Sequence, residues 1–189
     1  MKKFDNDITN CLAAINNSGI ILYPTDTIWG IGCDATNAAA IQRIYQLKKR
    51  EEKKSMIILV DNENMIEQYV SCPSEKILSF LSQQEKPTTA IFDKAINLPE
   101  IIINQDRTIA IRITTDEFCR SLIQQLKKPL ISTSANISGE PYPQSFSEVS
   151  EHIKKGVDYI VEHRQDDRSP SKPSSIIRLN ENNEIGFIR

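Results

Sequence analysis

The chain has 189 residues, 39% of them hydrophobic, which is enough for one substantial core and points to a single domain over residues 1–189. Its formal net charge of −2 excludes a protein that coats nucleic acid or acidic membrane through bulk charge, but allows a local cationic pocket. No apolar run is long enough to span a bilayer and the opening MKKFDNDITN lacks the apolar stretch of a secretory signal, so a soluble cytoplasmic protein is expected.

The first element is an amphipathic helix, because Ile8, Leu12 and Ile15 recur at helical spacing with Cys11 on the same face and Gly19 supplies a stop. GIILYP follows as a short buried strand ended by Pro24. A second helix opens near Asn37, carries Ile41, Ile44, Tyr45 and Leu47, and trails into the charged run KKREEKK. SMIILV is a continuous apolar run, the pattern of a strand covered on both faces. TTAIF and TIAIRI are further strands, and DEFCRSLIQQLKK is a helix with Phe118, Leu122 and Leu126 on one side. PLIST, VDYIV, SSIIRL and EIGFI complete the strands, with SEVSEHIKK a short helix between the first two. Strands and helices interleave, which predicts an α/β fold with helices flanking a sheet. HRQDDRSPSKPSS, residues 163–175, is polar, carries two prolines and is expected to be a mobile loop able to close over a site.

The four cysteines, Cys11, Cys33, Cys72 and Cys119, are too scattered for a zinc or redox motif and read as small core hydrophobes. His152 and His163 sit in polar surroundings and read as surface histidines. Four other stretches could hold chemistry. In STSANISG an apolar strand gives way to Ser132, Thr133, Ser134 and Asn136, and extended backbone would point Ser132, Ser134 and Asn136 the same way. This is either a strand end turning through Asn136 and Gly139 or a neutral hydrogen-bonding rim at a strand's carboxyl end, where open α/β sheets place ligands.

YPTDTIWGIG reads as a turn with Asp26 bonding its own backbone, or as a site where Thr25 and Thr27 present hydroxyls and Gly30 and Gly32 let a ligand approach. Its spacing is neither a Walker loop nor a dinucleotide fingerprint. LKKREEKK is a solvated helix end, or it offers Lys48 as a point charge and Arg50 as a planar fork to a polyphosphate. In TIAIRI, alternation puts Ile109 and Ile111 on one face and Thr108, Ala110 and Arg112 on the other. A strand arginine of this kind needs a salt bridge or a bound carboxylate.

Taken in order, YPTDTIWGIG, Lys48-x-Arg50, IAIRI, STSANISG and PSSII resemble the YrdC-like threonylcarbamoyl-AMP synthase family over nearly the whole chain. The resemblance implies a twisted, mostly buried mixed sheet with a deep cationic pocket. It also implies condensation of L-threonine, bicarbonate and ATP to threonylcarbamoyl-AMP, with release of pyrophosphate, for tRNA threonylcarbamoyladenosine modification. By resemblance, Lys48, Arg50, Ser134 and Asn136 form the catalytic and ATP-binding set, with Lys54, Thr108, Tyr142 and Arg189 as further nucleotide contacts. Thr27, Leu59, Arg112, Ser132 and Ser174 would hold threonine, with Arg112 on its carboxylate. Mg2+ would arrive with ATP, no metal cage of the protein's own is expected, and the product would pass to proteins that transfer it to tRNA, with weak RNA binding as a further possibility. Two departures stand out: Ser55-Met56 replaces the usual Pro-Leu, and a glycine-containing segment shrinks to KPTTA. The length suggests the short, single-domain form. The rival readings are another carbamoyl-handling enzyme of the same fold and an RNA-binding module, although interleaved aromatic and basic residues are lacking.

Overall fold

The computed structural model describes residues 2–51, 56–169 and 172–188. The expected elements form where the apolar periodicity places them: helices α1 (Asp5–Asn16), α2 (Ala38–Leu47), α5 (Glu117–Leu126) and α6 (Glu151–Gly156), and strands β1 (Ile21–Tyr23), β3 (Ile57–Val60), β4 (Thr88–Phe92), β5 (Ile109–Ile113), β6 (Leu130–Ser134), β7 (Tyr159–Ile160), β8 (Ser175–Leu179) and β9 (Ile185–Phe187). Asn37 caps α2 by accepting the Ala40 amide at 3.1 Å, and Asp116 caps α5 through the Cys119 amide at 2.9 Å. Such caps contribute about 1 kcal/mol each.

Three elements were not legible from the pattern. Helices α3 (Glu63–Glu67) and α4 (Glu75–Ser82) are short, and β2 (Gly30–Gly32) lies where a turn was the alternative. Gly32 explains the strand. A Cβ there would fall 2.3 Å from the Ile131 carbonyl oxygen and 2.7 Å from the Tyr23 ring, whose hydroxyl donates to that same carbonyl at 3.0 Å. Only a glycine lets β2 lie flat under the ring. Gly32→Ala should lower unfolding free energy by about 1–3 kcal/mol, as overpacking does. A denaturation midpoint equal to wild type would show that the ring can shift aside.

All nine strands join one sheet in the order β7-β1-β2-β6-β3-β5-β4-β8-β9. The β1/β7, β3/β5 and β4/β8 pairs are parallel and the remaining five antiparallel, so the sheet is mixed. Strands β1, β2 and β3 are almost wholly buried, as their unbroken apolar runs require. No described helix is long and apolar enough to cross a membrane.

Three expectations need correcting. Cys11, Cys33 and Cys119 are buried, but Cys72 is exposed at a positive φ of 55° and belongs to a turn. His163 is half-buried, its ring 5.1 Å from that of Phe4 and 6.1 Å from that of Phe118, while His152 is exposed as expected. The third concerns only the start of the polar segment expected to be a loop: it has no helix or strand over residues 163–169, residues 170 and 171 lie outside the described residues, and contacts fix its first residues. The Asp7 carboxylate accepts the Glu162 and His163 amides, and Arg164 pairs with Asp116 at 2.9 Å and donates to the Thr25 carbonyl.

Candidate active site

Register alone brings most of the predicted residues to one face. Ile57 of β3 lies opposite Ser132 of β6 and Ala110 of β5, and Ala110 lies opposite Ile91 of β4. Residues directly opposite share a face, so these four make a continuous floor. One step along, Gly30 lies opposite Ser134, and Arg112 opposite Leu59. The floor carries a cavity of about 330 Å³, whose wall includes Thr27, Arg50, Arg112, Ser132, Ser134, Tyr142 and Ser174 from the predicted set. Two guanidinium groups and several hydroxyls line it, and no carboxylate does among the described residues. A smaller recess of about 40 Å³ adjoins it through Thr27 and Ile28.

Each wall residue is held by its own local chemistry. Thr25 accepts the Thr27 amide at 3.0 Å, shares a hydroxyl contact of 2.9 Å with Thr27 and donates to the Ile28 carbonyl, which fixes Thr27 toward the cavity. Ser174 is positioned by Thr89, fully buried on β4, with 2.8 Å between their hydroxyl oxygens. Thr89 is a supporting residue that its place in the shortened KPTTA segment gave no reason to single out. Gly30 leaves the approach to Ser132 open, since a Cβ there would stand 3.6 Å from the Ser132 hydroxyl.

Arg50 reaches the wall through a Schellman reversal at the end of α2. Lys49 adopts a φ of +48°, its amide donates to the Gln46 carbonyl at 3.1 Å, and the Arg50 amide donates to the Tyr45 carbonyl at 2.9 Å. A lysine pays a steric cost in that left-handed position which glycine avoids. Lys49→Gly should therefore raise stability by about 0.5–1 kcal/mol, read as a higher melting midpoint. A lower midpoint would mean that the Lys49 side chain makes compensating contacts.

The same reversal turns Lys48 inward. Its side chain is fully buried and its Nζ donates to the carbonyls of Ser134 and, at 2.6 Å, Asn136, while its own carbonyl accepts the Ser138 amide at 2.8 Å. Burial, with Arg50 close by, lowers its pKa to about 7. Lys48 thus ties α2 to the loop after β6 rather than lining the cavity. Asn136 is likewise off the wall, its side-chain amide donating to the Ile137 and Glu140 carbonyls, so the face shared by Ser132 and Ser134 does not extend to it. Leu59, opposite Arg112 on the same face, is fully buried and does not line the cavity. Thr108 bonds Asn104 and Asp106 at the entry to β5. Lys54 and Arg189 lie outside the described residues.

Arg112 is the most distinctive group. It is 3% exposed, lines the cavity, and has Asp26 Oδ1 2.9 Å from its Nη2. The approach does not align the hydrogens, because Arg112 Nε, Arg112 Nη2 and Asp26 Oδ1 are all buried without a hydrogen-bond partner. Asp26 therefore serves a side chain of β5 and not its own turn, held from behind by the Thr114 hydroxyl at 3.4 Å. Nε and Nη2 are thus enclosed on the Asp26 side, and the edge of the guanidinium that lines a wall free of carboxylates among the described residues can meet an anionic oxygen.

A mixed sheet carrying a hydroxyl-rich cleft with arginines on its wall defines an α/β protein whose candidate site lies on the sheet's face. The sequence profile of the Sua5/YciO/YrdC family, described as telomere recombination, matches residues 13–189, and the chain belongs to that family. It is 32% identical over 158 residues to the threonylcarbamoyl-AMP synthase of Pseudoalteromonas translucida, covering 82% of this chain and 84% of that one. It is 35% identical over 176 residues to a putative threonylcarbamoyl-AMP synthase of Methanocaldococcus jannaschii, covering 92% and 80%. The fold matches that of P. abyssi Sua5 complexed with L-threonine, with a TM-score of 0.85 at 24% identity over 96% of this chain. The chain spans about half of that larger protein, 53% of its length.

Proposed function

We propose that this protein is a cytoplasmic L-threonylcarbamoyladenylate synthase, a nucleotidyltransferase that makes threonylcarbamoyl-AMP and pyrophosphate from L-threonine, bicarbonate and ATP. The observation that carries this reading is Arg112: a guanidinium that lines the cavity, in a wall without carboxylates among the described residues, suits the carboxylate of an amino acid. The similarity to relatives named threonylcarbamoyl-AMP synthase supports the same substrates.

With the carboxylate on Arg112 and the threonine hydroxyl near Thr27, Ser132 and Ser174, the amine nitrogen would face the remaining cavity. It adds to the carbon of carbon dioxide, formed as bicarbonate gives up hydroxide, and that hydroxide takes the nitrogen's proton and leaves as water, giving a carbamate. A carbamate oxygen then attacks the α-phosphorus of ATP, the bond to the β-phosphate oxygen breaks, and pyrophosphate leaves with that electron pair. Arg50, with Ser134 and Tyr142 on the same wall, would hold phosphate oxygens, and Lys48 would act by fixing the end of β6 that carries Ser134. The protein's contribution is to bring two anions together with fixed donors, which neither side could do in water. Mg2+ would come with ATP and offset the charge of its phosphates. Among the described residues no cluster of three or more histidine, cysteine or carboxylate side chains could hold it. The acyl-adenylate would pass to proteins that transfer it to tRNA.

The test is incubation of the protein with ATP, L-threonine and bicarbonate, with mass spectrometry for the acyl-adenylate and a pyrophosphate assay. Pyrophosphate release should require all three. Equal release in buffer stripped of carbon dioxide would sink this mechanism.

A further inference from the structure

The cavity must accept a polyanion and an amino acid, yet an arginine is attractive to both. The Arg112 corner differs from a simple anion site because a carboxylate is built in behind it. Asp26 is 9% exposed at its side chain, is not part of the cavity wall, and stands 2.9 Å from Arg112 Nη2. Its other oxygen accepts the Thr114 hydroxyl, and Thr114 Oγ1 in turn accepts the Asp116 amide, so the carboxylate is fixed from the β5 exit.

We infer that Asp26 is a specificity-determining residue that cancels most of the Arg112 charge, so that this corner takes a carboxylate carried by a net-neutral molecule and rejects phosphate. A ligand anion on the open side of the guanidinium would lie about 6 Å from the Asp26 carboxylate. At an effective dielectric of ~20 each ligand charge is then disfavoured on the order of tenfold to a hundredfold. An amino acid recovers this loss because its ammonium offsets its carboxylate, whereas a phosphate or pyrophosphate meets the penalty once per charge. Nε and Nη2 are enclosed, and the edge of the guanidinium that lines the cavity stays a directional donor while the net field is small. The corner thus selects by hydrogen-bond geometry rather than by charge. This deepens the synthase reading and rests on it for the identity of the amino acid, but the exclusion of phosphate is a property of the free protein.

The test uses the Arg112 Nε–H signal in two-dimensional NMR of the full chain, identified by its loss in Arg112→Lys. In wild type, L-threonine should shift that signal and inorganic pyrophosphate at millimolar concentration should not. In Asp26→Asn, pyrophosphate should shift it with an affinity at least about tenfold tighter than any seen in wild type, and Asp26→Glu should restore the exclusion. Should Asp26→Asn fail to fold, Asp26→Ser, which leaves room for water beside the guanidinium, is the second variant, and the wild-type titration decides by itself. Movement of the signal by pyrophosphate in wild type, or no gain in either neutral variant, overturns the inference. Failure of threonine alone to move it overturns the synthase reading instead, leaving the pyrophosphate titration to decide the role of Asp26.

Discussion

Arg112→Met is expected to lower threonine-dependent pyrophosphate release by at least roughly a hundredfold and to destabilise the fold at the same time. The activity loss follows from removing the guanidinium edge that lines the cavity, since a charge-assisted hydrogen bond to an anionic ligand contributes about 1.5–3 kcal/mol. The stability loss has a different origin. Methionine fills much of the arginine's volume but leaves Asp26 as an unpaired charge whose side chain is only 9% exposed, and breaking a buried pair this way costs about 3–5 kcal/mol. The two effects separate in the double variant Arg112→Met with Asp26→Asn, where the buried charges go together. Its melting midpoint should return most of the way to wild type while its activity stays at the single-variant level. Recovery of activity along with stability would show that Arg112 only holds the fold, and the carboxylate role would be lost.

What the sequence made legible divides along a physical line. Features set by neighbours along the chain were readable: the Asn37 cap, the alternation that aims Ala110 and Arg112 at one face, and the strand that delivers Ser132 and Ser134. Features set by which strands become neighbours were not. Lys48 stands in a charged run and reads as a helix end, because the carbonyls it bonds belong to the last residue of β6 and the loop after it, far away along the chain. Asp26 looked like a turn residue for the same reason, its partner being on β5. Gly32 resembled ligand-binding flexibility, but its tight spot is filled by the Tyr23 ring, whereas Gly30, two residues earlier, does line the cavity. A glycine pair at alternate positions of one strand faces one way, so the pattern could not tell a cleft from a packing contact.

Lys48→Met should cost stability as well as activity, with a pH dependence that identifies the lysine itself. The side chain is 1% exposed, and methionine would strand the Ser134 and Asn136 carbonyls, each costing about 1–3 kcal/mol if buried without a donor. Against this, the ammonium is held in a place that disfavours its charge: burial first, and Arg50 second, bring its pKa to about 7 from 10.5. Below pH 7 both the folded and unfolded chains carry the proton, and the full cost of burying the charge is present. Between pH 7 and 10.5 the folded chain has released a proton that the unfolded chain still binds, so stability contributed by this residue rises with pH, at most about 1.4 kcal/mol per unit. The buried thiols of Cys11, Cys33 and Cys119 act oppositely, because burial raises their pKa values and favours the unfolded chain once free thiols ionise above about pH 8.5. They are common to both proteins, however, and cancel in the difference. The unfolding free energy of wild type minus that of Lys48→Met should therefore climb by about 1–3 kcal/mol from pH 7 to pH 9. A difference that stays flat over that range would mean that the two carbonyls keep Lys48 fully charged, and that it is a permanent ionic clamp on the Ser134 loop.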